Sequence, residues 1–330
     1  MPLDLPSRPR RNRKSAAVRA FVREADLAPS RLVLPLFIRE EEGTQAIATM
    51  PGVSRLGPDA VEAEVEGALA EGITTVILFP LVPEARKTKR AEEALDPDGL
   101  VPRTIRRLKG RWPDLVICTD VALDPYSSDG HDGLVDADGR ILNDETVEVL
   151  CDQALMQAEA GADIVAPSDM MDGRIGAIRD ALDAAGHTGV SILAYTAKYA
   201  SAFYGPFRDA LDSAPRAGDK KTYQMDPANA REALRELGLD EAEGADLVMV
   251  KPAGPYLDVI RLVREATALP VAAYQVSGEY AMLRFAAQHG ALDERRAVLE
   301  ALLGIRRAGA DMILTYYARA AARWLTERPA

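Results

Sequence analysis

Short apolar, β-branched runs recur along the chain at residues 32–38, 73–79, 115–121, 163–167, 190–195, 246–251, 270–276 and 311–317. Uninterrupted runs of this length are the pattern of strands buried on both faces, where neither side needs a polar residue. Between most of them the period changes to a helical one, for example at 58–71, 144–160, 174–185, 226–236, 256–267 and 293–308, with several openings at Asp, Ser or Pro. Strand then helix, about eight times over, predicts a parallel α/β architecture. A doubly wound sheet and a closed (β/α)8 TIM barrel share this alternation. The count of eight favours the barrel, as does the lack of a Gly-x-Gly-x-x-Gly turn after the first strand. Ala160-Gly-Ala-Asp163, Glu243-Gly-Ala-Asp246 and Ala308-Gly-Ala-Asp311 read as helix-to-strand joints, each with a glycine at the helix C-terminus. Residues 1–30 are rich in Pro and Arg and lack a sustained apolar period, so an N-terminal arm is expected ahead of a barrel catalytic domain at 31–330.

In a barrel the functional side chains project from the C-terminal strand ends and the loops beyond them. That rule selects Asp120, Asp124 and Tyr126 after the third strand, then Ser168, Asp169 and Asp172 after the fourth. Lys198, Phe203, Tyr204 and Arg208 follow the fifth, Lys251 ends the sixth, and Tyr274, Gln275, Ser277, Tyr316 and Tyr317 come from the last two. The strand Ala245–Lys251 must stop where it does, because Pro252 cannot donate to a ladder and forces its predecessor into extended geometry.

A lysine at a strand end is ordinarily a solvated edge residue. Two on adjacent strands, roughly 4.8 Å apart, are a different matter. Ammonium groups about 6 Å apart at an effective dielectric near 20 repel by roughly 3 kcal/mol, equivalent to about two pKa units. Desolvation in a barrel mouth acts in the same direction. A neutral amine near pH 7 can attack a ketone or aldehyde and form a Schiff base, so a carbonyl substrate is implied. Arg208, Lys220 and Lys221 are placed to hold carboxylates or phosphates. A single-lysine aldolase-like barrel and a non-enzymatic anion- or metal-binding scaffold are the competing readings.

Composition narrows the field. No run of 18 or more uncharged apolar residues is present, so no membrane span is expected. A net charge of -11 argues against nucleic acid as a partner, and the basic cluster Arg8, Arg10, Arg11, Arg13, Lys14, Arg19 and Arg23 reads as part of a solvated or subunit-wrapping arm. Cys118 and Cys151 are the only cysteines, which excludes a disulfide framework and a multi-cysteine zinc site. The N-terminus carries no signal-peptide h-region, so a cytoplasmic location is the expectation. The segment 123–140, rich in Gly and Asp, reads as a lid. Asp136, Asp138, Gly139 and Glu145 match part of a calcium loop, but Leu134 would occupy its first position and no helix precedes it. The three histidines, His131, His187 and His289, come from unrelated places, which speaks against metal-dependent hydrolysis.

Four stretches resemble one family. They are Met249-Val-Lys-Pro-Ala-Gly-Pro-Tyr-Leu-Asp258, Tyr195-Thr-Ala-Lys-Tyr-Ala-Ser-Ala-Phe-Tyr-Gly-Pro-Phe-Arg-Asp209, Ala166-Pro-Ser-Asp-Met-Met-Asp-Gly-Arg174 and Tyr274-Gln-Val-Ser-Gly-Glu-Tyr280. All are similar to porphobilinogen synthase, also called 5-aminolevulinate dehydratase, and the resemblance runs from about residue 30 to 320. It implies a TIM barrel that condenses two molecules of 5-aminolevulinate into porphobilinogen with loss of two waters. Lys251 and Lys198 would each form a Schiff base, Lys251 with the molecule giving the propionate side and Lys198 with the one giving the acetate side. The resemblance places Arg208 and Lys220 at the second substrate's carboxylate, and Ser277 and Tyr316 at the first's. Gln224 and Phe203 belong to the lid side, and Asp120 and Ser168 to the substrate-binding set.

The chain departs from the zinc-type members. Their three cysteines are here Ala122, Asp124 and Asp132, so no zinc is expected. The sequence resembles the aspartate-rich subgroup, in which Asp124 and Asp132 either bind Mg2+ or K+ or simply hydrogen-bond the substrate amine. Glu236 matches a glutamate that carries an allosteric, water-coordinated Mg2+. The resemblance also implies a homo-octamer whose N-terminal arms wrap neighbouring barrels.

Overall fold

The computed structural model describes residues 5–327. The first four residues of the expected arm and the last three of the expected barrel domain lie outside the described residues. Eight parallel strands form a closed ring: β1 (Leu32–Ile38), β2 (Thr75–Pro80), β3 (Val116–Val121), β4 (Ile164–Pro167), β5 (Ser191–Lys198), β6 (Leu247–Lys251), β7 (Val271–Gln275) and β8 (Met312–Thr315). Each pairs with its chain neighbour, and β8 closes on β1 with Leu32 opposite Ile313. This is the (β/α)8 TIM barrel that the eight apolar runs predict. Every residue of β1 and β7 is buried, as strands covered on both faces must be.

The helices around the ring include α1 (Pro58–Ala70), α2 (Leu100–Arg111), α3 (Asn143–Ala160), α4 (Arg174–Ala184), α5 (Glu232–Ala242), α6 (Leu257–Ala266), α7 (Ser277–Gln288), α8 (Glu294–Ala308) and α9 (Ala318–Thr326). One expectation is displaced. The helix read at 226–236 begins six residues later, because Asp226 accepts from the Ala228 N–H at 2.8 Å and Asn229 donates to Glu232 at 2.9 Å. Those local bonds, with Pro227, hold the segment as a turn.

The three Gly-Ala-Asp joints share one construction. Gly161 ends α3 at φ 106°, a conformation that disfavours a side chain. The aspartate two residues on then accepts a backbone N–H from the adjoining strand's first turn. Asp163 takes Ile117 at 2.7 Å, Asp246 takes Ile192 at 2.8 Å and Asp311 takes Val271 at 3.0 Å. The repeated acid therefore satisfies a strand at the bottom of the barrel, the face away from the chemistry.

Ahead of the barrel, Pro9–Arg13 and Ala16–Phe21 form short helices with no buried residue, and Phe21 is 89% exposed. The 123–140 segment, expected as a lid, is buried over much of its length. Residues 122–127 and 130–134 are buried, Leu134–Val135 pairs with Ile141–Leu142, and Asp136 accepts the N–H groups of Asp138 and Arg140 in the turn between them. No helix is long and apolar enough to cross a membrane among the described residues.

Candidate active site

Lys198 and Lys251 are register partners at the C-terminal ends of β5 and β6. The pairing depends on an irregularity. Val248 lies opposite Ala194, but Val250 lies opposite Ala197, so β5 carries one extra residue in that interval. Such a bulge re-aims the side chains beyond it. With regular pairing Lys251 would face Ala197.

The two amines have different surroundings. Lys251 is buried, and its Nζ stands 4.7 Å from the Tyr274 ring centre, 5.0 Å from Tyr195, 5.1 Å from Phe207 and 5.3 Å from Tyr204. Burial and, after it, the charge of Lys198 lower its pKa to about 7. Desolvation thus outweighs the ammonium repulsion on which the sequence argument leans. Lys198 is ion-paired with Asp132 at 2.9 Å and also donates to the Ser168 carbonyl.

Asp132 is the hub of the polar side. Its second oxygen meets Lys220 at 2.6 Å and accepts from the Tyr223 hydroxyl at 2.9 Å. Burial alone would raise this carboxyl, but the charges of Lys198 and Lys220 hold it well below the usual carboxylate range. Lys220 also pairs with Asp124 at 3.2 Å, and against its burial these two carboxylates keep its pKa raised. Asp120 behaves in the opposite way. Burial and the neighbouring Asp124 push it up to about 7, and its Oδ1 has no hydrogen-bond partner among the described residues.

Asp120, Asp124, Asp132, Ser168, Lys198, Arg208, Lys220, Gln224 and Lys251, all expected from the sequence, line one cavity together with Tyr204 and Phe207. Its volume is only about 20 Å³, room for roughly one water. Lys220 and Gln224 come from the segment after Leu211 and form one wall of the cavity. Ser277 and Tyr316 stand apart from this cavity. The Ser277 hydroxyl accepts from Phe207 N at 2.9 Å, and the Phe203 backbone lies against the start of α7. Tyr316 hydrogen-bonds Tyr274 at 2.9 Å, which ties it to the ring of aromatics around Lys251.

Glu236 lines a separate cavity of about 680 Å³ with Asp172, Asp226, Glu232 and Asn143, and Gln224 borders both spaces. Burial, with Asp240, Asp172 and Glu232 nearby, raises the Glu236 carboxyl against the pull of Arg174.

Sequence reasoning passes over Tyr223 and undervalues His131. The His131 ring bonds the Tyr223 hydroxyl at 3.1 Å and the Ala217 carbonyl at 2.9 Å, which fastens the 217–223 segment over Asp132. Their separation of 92 positions leaves no local pattern to find.

The carboxylates beside the lysines do not fit a divalent cation as arranged. Asp124 and Asp132 are both committed to ammonium groups, and a cation would have to replace them. Among the described residues no three His, Cys, Asp or Glu side chains converge as a metal set.

A family model described as delta-aminolevulinic acid dehydratase matches residues 6–324. The chain is 66% identical over 325 residues to the chloroplastic delta-aminolevulinic acid dehydratase of Physcomitrium patens, covering 98% of this chain and 75% of that one. It is 60% identical over 335 residues to the chloroplastic protein of the same name from Chlamydomonas reinhardtii, covering 98% and 86%. Among solved structures, delta-aminolevulinic acid dehydratase (porphobilinogen synthase) from Toxoplasma gondii ME49, in complex with the reaction product porphobilinogen, matches with a TM-score of 0.97 at 56% identity over 98% of this chain and 92% of that one.

These relatives overturn the cytoplasmic expectation, since the plant and algal proteins are named chloroplastic. The h-region criterion detects secretory signals, whereas plastid transit peptides are marked by Arg- and Ser-rich composition, so the criterion does not separate a cytoplasmic protein from a plastid one. The matched family model, the high-identity relatives and the shared barrel agree: the chain belongs to the delta-aminolevulinic acid dehydratase family.

Proposed function

We propose that the chain is a hydro-lyase that condenses two molecules of 5-aminolevulinate into porphobilinogen, with Lys251 and Lys198 as the amines that hold them. The observation that carries this reading is the register pairing of the two lysines, with Lys251 brought to about 7. A buried amine at that value is substantially neutral at physiological pH and can attack a ketone. Loss of the ketone oxygen as water leaves an iminium, and the four rings around Lys251 suit that cation.

Closure of the pyrrole ring forms one carbon–carbon and one carbon–nitrogen bond between the two substrates. The two carbonyl oxygens leave as water, and both lysine amines are regenerated. Asp120, at about 7 and with one oxygen unpartnered among the described residues, is matched to move the protons this requires, while Asp132 is too acidic to keep one. Ser168 stands beside Lys198, to which its carbonyl is bonded, and completes this wall. Lys220 and Arg208 take the second molecule's carboxylate, Lys220 as a point charge in place of a fork. Ser277 and Tyr316 take the first's, with Phe203 and Gln224 on the lid side.

The acidic cavity around Glu236 suits a hydrated Mg2+ held through its water shell, which would relieve the crowding that raises the Glu236 carboxyl. The exposed arm suits burial against another copy in a homo-octamer.

Borohydride reduction in the presence of 5-aminolevulinate tests the covalent reading. Peptide mass spectrometry is expected to find the reduced adduct on Lys251, and product formation without any adduct there sinks it.

A further inference from the structure

Glu279 is a buried acid that the chemistry above leaves unused. It sits in the first turn of α7, two residues after Ser277, and is 4% exposed. Among the described residues its side-chain oxygens meet only backbone N–H groups. Oε1 accepts from Gly254 at 2.7 Å, and Oε2 accepts from Val276 at 2.8 Å and from Ala253 at 3.3 Å. The Val276 bond is the ordinary reach of an N3 glutamate back to the residue before its helix. The other two are not local. They cross to the loop that begins at Lys251, 25 and 26 positions away.

A carboxyl buried with no counter-cation is costly to keep charged, and burial pushes this one up to about 7 although all three N–H groups oppose the rise. The loop is cut to admit it. A Cβ added at Gly254 would lie 2.6 Å from Oε1, closer than any side chain tolerates. On the other side of Pro252, the Lys251 carbonyl accepts from Tyr199 N at 3.0 Å and from the Tyr204 hydroxyl at 3.2 Å. The peptide segment after the amine is therefore held at its carbonyl by one group of residues and at its next two N–H donors by Glu279.

We propose that Glu279 is a positioning residue for Lys251. It binds the loop that follows the amine to the start of the helix that carries Ser277, so that amine and hydroxyl are set as one unit. The inference rests on the covalent reading of Lys251.

The test is borohydride trapping with saturating 5-aminolevulinate in the full-length protein, with the Lys251 and Lys198 adducts quantified from one digest. Glu279→Gln keeps the volume but turns an amide N–H₂ toward a backbone donor. Its Lys251 adduct is expected to fall roughly tenfold to a hundredfold, the scale of a misplacement of about 1 Å, with the Lys198 adduct little changed. Gly254→Ala perturbs the same bond from the loop side and is expected to reproduce the selective loss. Equal loss at both lysines marks a merely structural role and overturns the proposal, as does an undiminished Lys251 adduct in a folded variant. Absence of adduct from wild-type Lys251 overturns the covalent reading itself, and this inference with it.

Discussion

Lys251 lies opposite Lys198 rather than opposite Ala197 because β5 holds one more residue than β6 between matched positions. The bulge sets the spacing of the two amines, and that spacing contributes, after burial, to the lowered pKa of Lys251.

The pH dependence follows directly. Below about 7 Lys251 is an ammonium and cannot attack, so the rate of adduct formation should rise with pH through about 7 and level off above it. Lys198→Met removes the second of the two causes. The rise should then move to higher pH but stay well below the ordinary lysine value, because burial persists. An unmoved limb would show that the charge of Lys198 does not reach Lys251.

Tyr223→Phe removes the hydroxyl that donates to Asp132 at 2.9 Å and bonds His131. A hydrogen bond to a charged group contributes about 1.5–3 kcal/mol, so kcat/KM should drop roughly 10- to 150-fold. Adduct formation at Lys251 should be little altered, since Tyr223 touches only the Lys198 side. Steady-state kinetics beside trapping separates the two effects.

Arg174 and Asp240 form a buried ion pair at 2.8 Å, and Arg174 also donates to the Tyr195 carbonyl at 3.3 Å. Asp240→Ala strands the guanidinium. Unfolding by denaturant should show a loss of about 3–5 kcal/mol, the usual cost of breaking a buried pair from one side. A loss below about 1 kcal/mol would mean that Asp169 or Glu236 takes over the pairing.

Glu236 gives a metal prediction that is separate from the lysines. After exhaustive chelation, Mg2+ should raise activity of the wild type, and Glu236→Gln should blunt that response while leaving chelated activity unchanged. Wild-type activity indifferent to Mg2+ removes the role given to Glu236.

What was legible in the sequence was whatever local pattern encodes. The barrel strands are short apolar runs, and Lys251 is marked by the proline after it. The Gly-Ala-Asp joints show themselves by repetition. Helix α5 is misplaced because side-chain bonds at Asp226 and Asn229 compete with a helical period. The buried course of 123–134 escapes notice because Gly and Asp there resemble a solvated loop, while their partners, Tyr223 and Lys220, arrive some 90 residues later. Glu279 has the same difficulty, since two of its three bonds cross to another loop. Contacts between distant segments leave no period to read.

Lys220 meets Asp124 and Asp132 at once, and Asp132 divides itself between Lys220 and Lys198. A substrate carboxylate therefore finds Lys220 already paired, but Arg208, which lines the same cavity, has no salt bridge among the described residues. Its contact with Arg208 is a new ion pair, whereas its contact with Lys220 exchanges one carboxylate for another. In that exchange added salt weakens the pair that is broken along with the pair that is formed. The ionic-strength dependence of binding at this end of the site should accordingly come from Arg208 rather than from Lys220.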